Sequence, residues 1–248
     1  MSDEASLVFG LHAVEALLRA PGRVRELWLD AGRRDQRMRE LAARAEQGKV
    51  RVQWVEKEKL DELSQQGRHQ GAVARVRPSQ ALSESALEEL LVNLTEPAFL
   101  LILDGVQDPH NLGACLRTAD GAGVHAVIAP RDRAAGLNPT VRKVASGAAE
   151  TVPFIQVTNL ARTLRMLREN GVRVVGTAGE AEQTVYQADL TGPLAVVLGA
   201  EGKGMRRLTR DHCDLLVHIP MQGGVESLNV SVATGVCLYE ALRQRAPG

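Results

Sequence analysis

Residues 99–117 read FLLILDGVQDPHNLGACLR, and the prediction of the fold starts from this stretch. The run Phe99–Leu103 is apolar throughout, which is typical of a strand that is buried on both faces of a sheet. Pro109 and Asn111 suit a turn that enters a helix, and Asn111 is a good N-cap residue. We therefore predict a strand, a polar turn and a helix over 111–122, which together form one unit of a parallel α/β sheet.

The same alternation continues to the end of the sequence. Further strands are predicted at His125–Ala129, Pro153–Val157, Val172–Gly176, Leu194–Leu198 and Leu215–Ile219. Further helices are predicted at Pro139–Gly147, Asn159–Asn170, Met205–Cys213 and Asn229–Arg245. Strands this rich in Val, Ile and Leu, alternating with helices, predict a parallel sheet that is covered on both faces. Ligands of such sheets bind at the carboxyl ends of the strands.

The first 78 residues predict a separate, smaller α/β unit. Its predicted helices are Gly10–Ala20, Gln36–Gln47 and Glu56–Leu63, and its predicted strands are Val24–Leu29, Val50–Val55 and Gly71–Val76. After it, residues 80–100 carry four glutamates and no basic residue, and a helix is predicted over Glu84–Leu94. The predicted domains are thus residues 1–78, a linker over 79–97, and residues 98–248.

The composition excludes several classes of protein. Thirty basic residues balance thirty acidic ones, and this zero net charge argues mildly against a protein that coats nucleic acid by charge alone. No apolar run approaches about 18 residues, so no membrane helix is predicted. The three cysteines and six histidines show no metal-binding spacing. The acidic start, Met1–Glu4, leads into no apolar run, so we expect no secretory signal and a cytoplasmic protein without a membrane partner.

Two clusters of polar residues and glycines follow predicted strands. In the first, Arg117 lies six residues after Asn111, about 1.7 helical turns further along. A capped helix with a surface arginine is the plainer interpretation of that cluster. The second, GAEGKG over 199–204, has three glycines in six residues, which implies positive φ angles or close approach by a ligand. Its GxxGxG spacing differs from the GxGxxG of dinucleotide-binding folds. A tight turn from strand to helix, without a ligand, is the alternative interpretation.

A third cluster runs from Ile219 to Ser231 and enters the last predicted helix. Ser227, Asn229 and Ser231 crowd the start of that helix, where backbone N–H groups favour anions. A helix cap needs only one such residue. The cluster therefore indicates a binding site, with simple capping as the alternative.

The three clusters together resemble the three motifs of the SpoU/TrmH family of RNA ribose 2′-O-methyltransferases, in the SPOUT superfamily. The matching residues are Pro109-x-Asn111-x-Gly113-Ala114-x-x-Arg117-Thr118-Ala119, then Leu198-Gly199-x-Glu201-Gly202-x-Gly204, then Ile219-Pro220-Met221 and Ser227-Leu228-Asn229-Val230-Ser231. The stretch Phe9-Gly10-Leu11-His12-Ala13-Val14 resembles the start of the family's substrate-binding domain, which is similar to ribosomal protein L30e. The resemblance covers nearly the whole chain.

This resemblance implies a fold, a reaction and partners. The fold would be a C-terminal SPOUT parallel-sheet domain with a trefoil knot, joined to a small N-terminal L30e-like α/β domain that binds the RNA substrate. The reaction would transfer a methyl group from S-adenosyl-L-methionine, without a metal, to a guanosine 2′-hydroxyl in the peptidyl-transferase region of 23S rRNA. The partners would be 23S rRNA or a large-subunit precursor, and a second copy of the chain. The last helix would lie at the homodimer interface, through the small residues Val230, Ala233, Cys237 and Ala241.

The resemblance also implies roles for particular residues. The cofactor site would be lined by Thr177, Gly199, Ile219, Met221, Ser227 and Leu228. The catalytic set would be Asn111, Arg117, Glu201, Ser227 and Asn229. We expect Arg117 to hold a neighbouring phosphate and to stabilise the developing alkoxide, because an arginine stays protonated and cannot act as the base. The expected contacts to RNA phosphates are Arg33, Arg34, Arg37, Arg39, Arg44, Arg131, Arg133, Arg142, Lys143, Lys203, Arg206, Arg207 and Arg210.

Three other functions stay open. A tRNA guanosine-2′-O-methyltransferase of the same family would typically lack a domain such as residues 1–78. A non-catalytic RNA-binding or ribosome-assembly factor would not need to keep Asn111, Arg117 and Glu201. A nicotinamide-dependent dehydrogenase would need the GxGxxG pattern, which the second cluster does not have.

Overall fold

The chain folds as two α/β units in the computed structural model, which describes residues 6–19 and 22–246. The first unit comprises the described residues up to Ser79 together with Ser146–Thr151, and the second comprises Gln80–Ala145 and the residues from Val152 onward. The α/β class predicted from the sequence is confirmed for both. None of the helices in the described part of the chain is both long enough and apolar enough to cross a membrane.

The first unit is built on a four-stranded sheet. Its strands are β1 (Ser6–Phe9), β2 (Val24–Asp30), β3 (Arg51–Val55) and β4 (Ala72–Val76), in the order β1-β4-β2-β3. Its helices are α1 (Leu11–Leu18), α2 (Gln36–Gln47), α3 (Lys57–Leu63) and the single turn α7 (Ala148–Thr151). Leu27 of β2 packs with Met38 of α2 on one face of the sheet, and Trp28 packs with Leu60 of α3 on the other. This alternation follows from the two-residue period of a strand.

The second unit contains a seven-stranded sheet in which every pair of neighbouring strands is parallel. Its strands are β5 (Phe99–Asp104), β6 (Ala126–Pro130), β7 (Phe154–Val157), β8 (Arg173–Thr177), β9 (Gln183–Thr184), β10 (Leu194–Gly199) and β11 (Leu215–His218), in the order β7-β6-β5-β10-β8-β11-β9. Its helices are α4 (Glu84–Asn93), α5 (Pro109–Gly121), α6 (Pro139–Ala145), α8 (Leu160–Glu169), α9 (Arg207–Asp211) and α10 (Val230–Arg245). The predicted parallel sheet is confirmed.

Strand β5 lies near the centre of this sheet, between β6 and β10. All six of its residues are buried, which is why the sequence of this strand shows no alternation of apolar and polar residues. Its pairing with β10 runs the whole length of the strand, from Phe99 opposite Leu194 to Asp104 opposite Gly199. The carboxyl ends of these two strands therefore lie side by side.

The segment that the sequence analysis treats as a linker is folded onto the second unit. Leu87 of α4 is fully buried in the same cluster as Leu100 and Ile155. Leu82 also forms a parallel bridge with Ile155. Residues 80–97 thus belong to the second unit.

The start of α5 corrects one prediction. The N-cap residue is Asp108, whose Oδ1 accepts a hydrogen bond from the backbone N–H of His110 at 2.8 Å. Asn111, which the sequence analysis favoured as the cap, lies inside the helix. Pro109 takes the first helical position, where its missing N–H is not needed. The side chain of Asn111 is therefore free for another partner.

The last helix corrects another prediction. The expected interface stripe is largely buried within its own chain, with Val230, Cys237 and Ala241 buried and Ala233 half-buried. Thr234, on the same side of α10, places its Oγ1 3.3 Å from the Sγ of Cys115 on α5. The small residues therefore permit close packing of α10 against α5. The exposed face of α10 carries Val232 and Tyr239 instead.

Short elements account for most of the remaining differences. The sequence analysis did not predict β1, α7 and β9, which have between two and four residues each. Elements this short show too few residues to display a period. The first helix is observed at Leu11–Leu18, and Ala20, which was predicted to end it, lies outside the described residues. Helix α9 is shorter than predicted because Arg206, just before it, has an extended backbone.

Gly113 allows α5 and α6 to approach closely. A Cβ atom at this position would lie 2.7 Å from Cβ of Val144 and 2.9 Å from the backbone oxygen of Val141. Both distances are shorter than van der Waals contact, and the oxygen belongs to a helix backbone that cannot move alone. Gly235 of α10 is also helical, but a Cβ there would meet its nearest atom only at 4.0 Å, on Thr118.

We expect Gly113→Ala to lower the free energy of unfolding by about 1–3 kcal/mol, because the added methyl group overpacks the contact between α5 and α6. The matched variant Gly235→Ala is expected to raise it by up to about 1 kcal/mol, because alanine is the better helix former where space exists. Urea unfolding followed by circular dichroism measures both. Equal stability of the two variants would contradict the packing argument.

Candidate active site

The three polar clusters lie at one edge of the seven-stranded sheet. The first follows β5, the second follows β10 and the third follows β11. Since all the strands are parallel, their carboxyl ends meet at the same edge. β8, which lies between β10 and β11, adds Thr177 as its last residue. The structure therefore brings together clusters that are far apart in the sequence.

A carboxylate and two amides, one from each cluster, are joined by hydrogen bonds. Oε1 of Glu201 accepts from Nδ2 of Asn111 at 2.7 Å and from Nδ2 of Asn229 at 2.6 Å. Nδ2 of Asn229 also lies 3.1 Å from Oδ1 of Asn111. We call these three residues the Glu201 cluster. Asn111 therefore orients Glu201.

The orientation of the Asn229 amide is set by the helix that it caps. Its Oδ1 accepts from the backbone N–H of Ser231 at 2.9 Å and from the hydroxyl of Ser231 at 2.6 Å. Because the backbone N–H can only donate, this atom must be the amide oxygen, and the NH₂ group then faces Glu201. Capping and site formation are thus two functions of one side chain.

The loop over residues 199–206, which we call the Glu201 loop, is tightly folded. Ala200 and Gly204 exchange two backbone hydrogen bonds, and Gly202 and Gly204 have φ angles of 72° and 64°. A Cβ on Gly199 would lie only 2.1 Å from the backbone of Gly204. The predicted need for positive φ and close approach is confirmed, but at Gly199 the atoms that approach belong to the chain itself.

The Glu201 loop is also fastened to the end of β5. The carboxylate of Asp104 is fully buried and accepts from the backbone N–H of Arg206 at 2.8 Å. Its Oδ1 also accepts from Nε of Arg206 at 2.6 Å, and Nη2 of Arg206 lies 2.5 Å from the same oxygen. The sequence analysis placed Arg206 among the RNA contacts and assigned no role to Asp104. The available signal was a carboxylate that directly continues a buried strand, since such a group is rarely buried without a partner.

A cavity of about 420 Å³ lies against the Glu201 cluster. Asn111 and Glu201 form part of its wall, and the Asp104–Arg206 pair forms another part. Two further cations, Arg133 and Lys203, line it, and neither side chain has a hydrogen bond or ion pair to any described residue. The cavity thus offers an anionic ligand two free positive charges and one carboxylate that is held by neutral amides.

Three members of the expected catalytic set do not line this cavity, and of these only Asn229 is bonded to a residue of its wall, Glu201. Arg117 is exposed on α5 and makes no side-chain hydrogen bond or ion pair within the described residues. Its position follows from helix geometry, because six residues rotate the side chain by about 240° from Asn111. Ser227 is exposed in the loop before α10 and does not line the cavity.

The expected cofactor residues gather at neighbouring strand ends. Thr177 is the last residue of β8, Gly199 is the last residue of β10, and Ile219 directly follows β11. Strand β8 pairs with both β10 and β11, so these three residues lie at adjacent positions on one edge. Met221 and Leu228 are half-buried in the loop that follows.

Comparison with known proteins identifies the family. A model described as the SpoU rRNA Methylase family matches residues 98–239, which is more than half of the chain. The chain belongs to the SpoU rRNA methylase family. A second model, described as RNA 2'-O ribose methyltransferase substrate binding, matches residues 7–82. The family resemblance seen in the three motifs is thereby confirmed.

Full-length relatives and a solved structure agree with this assignment. The protein named 23S rRNA (guanosine-2'-O-)-methyltransferase RlmB of Pseudomonas putida is 60% identical over 239 residues, which cover 96% of each chain. Its namesake in Escherichia coli is 58% identical over 243 residues, which cover 98% of this chain and 100% of the relative. The SpoU methyltransferase AviRb from Streptomyces viridochromogenes, solved in complex with AdoMet, shares the fold with a TM-score of 0.68. That match has 24% identity and covers 97% of this chain and 90% of the other.

Cysteine chemistry has no part in this SpoU-family site. Burial raises the pKa of the Cys115 thiol to about 11, and the nearby charge of Glu201 adds to the effect. Burial likewise raises the pKa of Cys213 and of Cys237 to about 12. Thiolate is the nucleophilic form, so none of the three is activated at neutral pH. Among the described residues, no group of His, Cys, Asp and Glu side chains is arranged to hold a metal ion.

We expect iodoacetamide at pH 8 to leave the two buried thiols, Cys115 and Cys237, unmodified in the folded protein during an incubation that fully modifies the unfolded chain. A pKa of about 11 leaves only about one thiol in 10³ ionised at this pH, and burial blocks the reagent as well. Mass spectrometry of the labelled peptides reads out each site. Rapid labelling of Cys115 in the folded protein would show that α5 and α10 do not pack as described.

Proposed function

We propose that the protein transfers a methyl group from S-adenosyl-L-methionine to the ribose 2′-hydroxyl of a guanosine in 23S rRNA. The observation that carries the proposal is the Glu201 cluster, which unites residues of all three family motifs at the wall of a cavity. Cavities of about 300–1,000 Å³ are the size class that binds small ligands, and a nucleotide falls within it. The two full-length relatives support the choice of 23S rRNA and of guanosine.

The proposal assigns a task to each part of the chain. Residues 1–78 form the L30e-like domain that binds the RNA substrate, and the match over residues 7–82 supports this. Residues 98–248 form the SPOUT catalytic domain, and residues 80–97 pack onto it. We include a trefoil knot in this domain. Its support is the family resemblance, which the match over residues 98–239 bears out. Action on ribosomal RNA would place the protein in the cytoplasm.

The residues at the strand ends fit the proposed methyl donor. Thr177, Gly199, Ile219, Met221 and Leu228 include no charged side chain, which suits a flat, largely apolar adenine ring. Beyond the last paired residues of β8, β10 and β11, the backbone groups can bond the ring edge. S-adenosyl-L-methionine supplies a methyl group that its positive sulfur has already activated, so the proposed reaction needs no metal.

The chain's own residues would orient and polarise the nucleophile. The reaction forms a bond from the ribose O2′ to the methyl carbon while the carbon–sulfur bond breaks, and the hydroxyl proton must leave. Oε1 of Glu201 is held by the two asparagines, which leaves Oε2 to accept a hydrogen bond from the hydroxyl and to take its proton as the carbon–sulfur bond breaks. Arg133 and Lys203 would hold the flanking phosphates. Ser227, at the loop before α10, would complete the donor site.

We further propose that Arg117 acts in a homodimer. On α5, Arg117 and Gly121 are four residues apart and share one face. The hydroxyl of Tyr239 would lie 3.0 Å from a Cβ on Gly121, so the exposed apolar face of α10 adjoins Arg117. A second copy that covers Tyr239 and Val232 would bring Arg117 of one protomer towards the cavity of the other.

The reaction is tested by incubating the protein with labelled S-adenosyl-L-methionine and unmodified 23S rRNA, with tRNA in parallel. We expect label in 23S rRNA that survives alkaline hydrolysis in a dinucleotide with guanosine first, because a methylated O2′ cannot attack the adjacent phosphate. Glu201→Gln is the control and is expected to lose about 10²-fold or more in rate. Label in tRNA alone would favour the tRNA-modifying alternative. Donor binding without any methylation would favour a non-catalytic factor.

The role of Arg117 is tested by mixing two inactive variants, Arg117→Ala and Glu201→Gln. If Arg117 serves the other protomer's site, half of the randomly mixed dimers contain one complete site, so about a quarter of the wild-type activity should return. Refolding the two variants together and measuring methyl transfer checks this. Arg117→Ala mixed with itself is the control. A mixture that stays inactive while it forms mixed dimers would show that Arg117 acts only within its own chain.

A further inference from the structure

We propose that the buried pair Asp104–Arg206 is the positioning device for Glu201, and that Asp104 is therefore a positioning residue of the methyl-transfer reaction. This inference rests on the proposed function. It concerns two residues that none of the three family motifs identified in the sequence includes.

The pair is unusually well bonded. The carboxylate of Asp104 has no exposed surface, and its two oxygens accept different groups of Arg206: Oδ2 the backbone N–H and Oδ1 the Nε–H, with Nη2 2.5 Å from Oδ1. The Arg206 side chain is 51% exposed, so the cation still faces the cavity. A hydrogen bond between two charged groups is stronger than one between neutral groups. These bonds therefore hold both the side chain and the backbone of Arg206 at the end of β5.

The Asp104–Arg206 pair acts on Glu201 through the Glu201 loop, which is fixed at both of its ends. Gly199, where the Glu201 loop begins, lies opposite Asp104 in the β5–β10 pairing. The chain then turns at Ala200–Gly204 and returns to Asp104 at Arg206. Both ends of the loop are thus fixed to the same residue of β5. Glu201 lies at the turn, where its carboxylate meets the two asparagines.

Loosening Arg206 would free one end of this loop. Asn111 and Asn229 would stay in place, because each belongs to a helix that is packed in the second unit. Glu201 would then no longer be held at the point where the two amides converge. Misplacing a reacting group by about 1 Å can cost about 10²-fold in rate. The loss should therefore fall on the chemical step, with little change in affinity for the RNA.

The same unit offers a matched pair away from the site. Asp214 accepts the backbone N–H of Val174 at 2.8 Å and forms an ion pair with Nε of Arg168 at 2.6 Å, almost the same distances as at Asp104. Asp214 lies just before β11, at the amino end of that strand and thus at the opposite edge of the sheet. Asp214→Asn therefore removes the same charge from a similar arrangement without touching the Glu201 loop.

The test compares Asp104→Asn with Asp214→Asn in the full-length protein. We expect Asp104→Asn to lower kcat on 23S rRNA by about 10- to 100-fold, with the KM for RNA within about threefold of wild type. Asp214→Asn should leave kcat within about threefold. In a Glu201→Gln background, Asp104→Asn should add less than about threefold, because the residue through which it acts is already altered. Equal losses for the two aspartate variants, or a full multiplicative loss in the double variant, would overturn the proposal.

A second readout does not depend on activity. Hydrogen exchange measured by mass spectrometry should show faster exchange over residues 199–206 in Asp104→Asn, by about tenfold or more, and no change there in Asp214→Asn. Unchanged exchange in Asp104→Asn overturns the positioning role. Exchange could be faster in Asp104→Asn than in the wild-type protein while the wild-type protein methylates no RNA. That outcome would refute the proposed function and leave the positioning of Glu201 supported.

Discussion

The parallel pairing of β5 with β10 is the interaction on which the rest of the second unit depends. It brings Asp104 beside Gly199 although the two are far apart in the sequence, and it thereby joins the first two polar clusters. β10 also separates β5 from β8, although β8 comes earlier in the chain. The edge that carries the site is therefore complete only when β10 has joined the sheet. Non-local pairing of this kind folds slowly, because chain entropy is lost before the new contacts form.

The two carboxylates beside the cavity differ in what they are bonded to. Asp104 faces a guanidinium and a backbone N–H, so its charge is balanced within the fold. Glu201 is held by two neutral amides, so its negative charge stays at the cavity wall. A negative carboxylate beside the alkoxide that develops on O2′ raises the energy of the transition state. This repulsion is relieved when the carboxylate takes the proton of the hydroxyl or when a nearby cation offsets the negative charge. Arg133 and Lys203 supply that offset within the chain, and the proposed second copy would add Arg117.

The sequence predicted most of the elements because burial and periodicity are local signals. The second helix is found at Gln36–Gln47, as predicted, since its apolar residues recur at helical spacing. The cap of α5 was predicted wrongly although the signal was present, because Pro109 at the first helical position already indicates Asp108. Asp104 could have been expected to need a partner. That partner could not be predicted, because Arg206 comes 102 residues later and only the strand register brings it close.

The distribution of charge decides how an RNA substrate could be held. In the first unit, several exposed arginines are already paired: Arg33 with Asp35, and both Arg37 and Arg44 with Glu15. Exposed pairs are weak in water, so a phosphate can replace the carboxylate at little cost. Non-specific affinity for RNA grows with each phosphate that the protein neutralises. A protein whose positive and negative charges balance therefore holds little RNA unless phosphates replace the carboxylates beside its arginines. A chain with no net charge gains little affinity for RNA from its overall charge, so its affinity depends on a few well-placed cations.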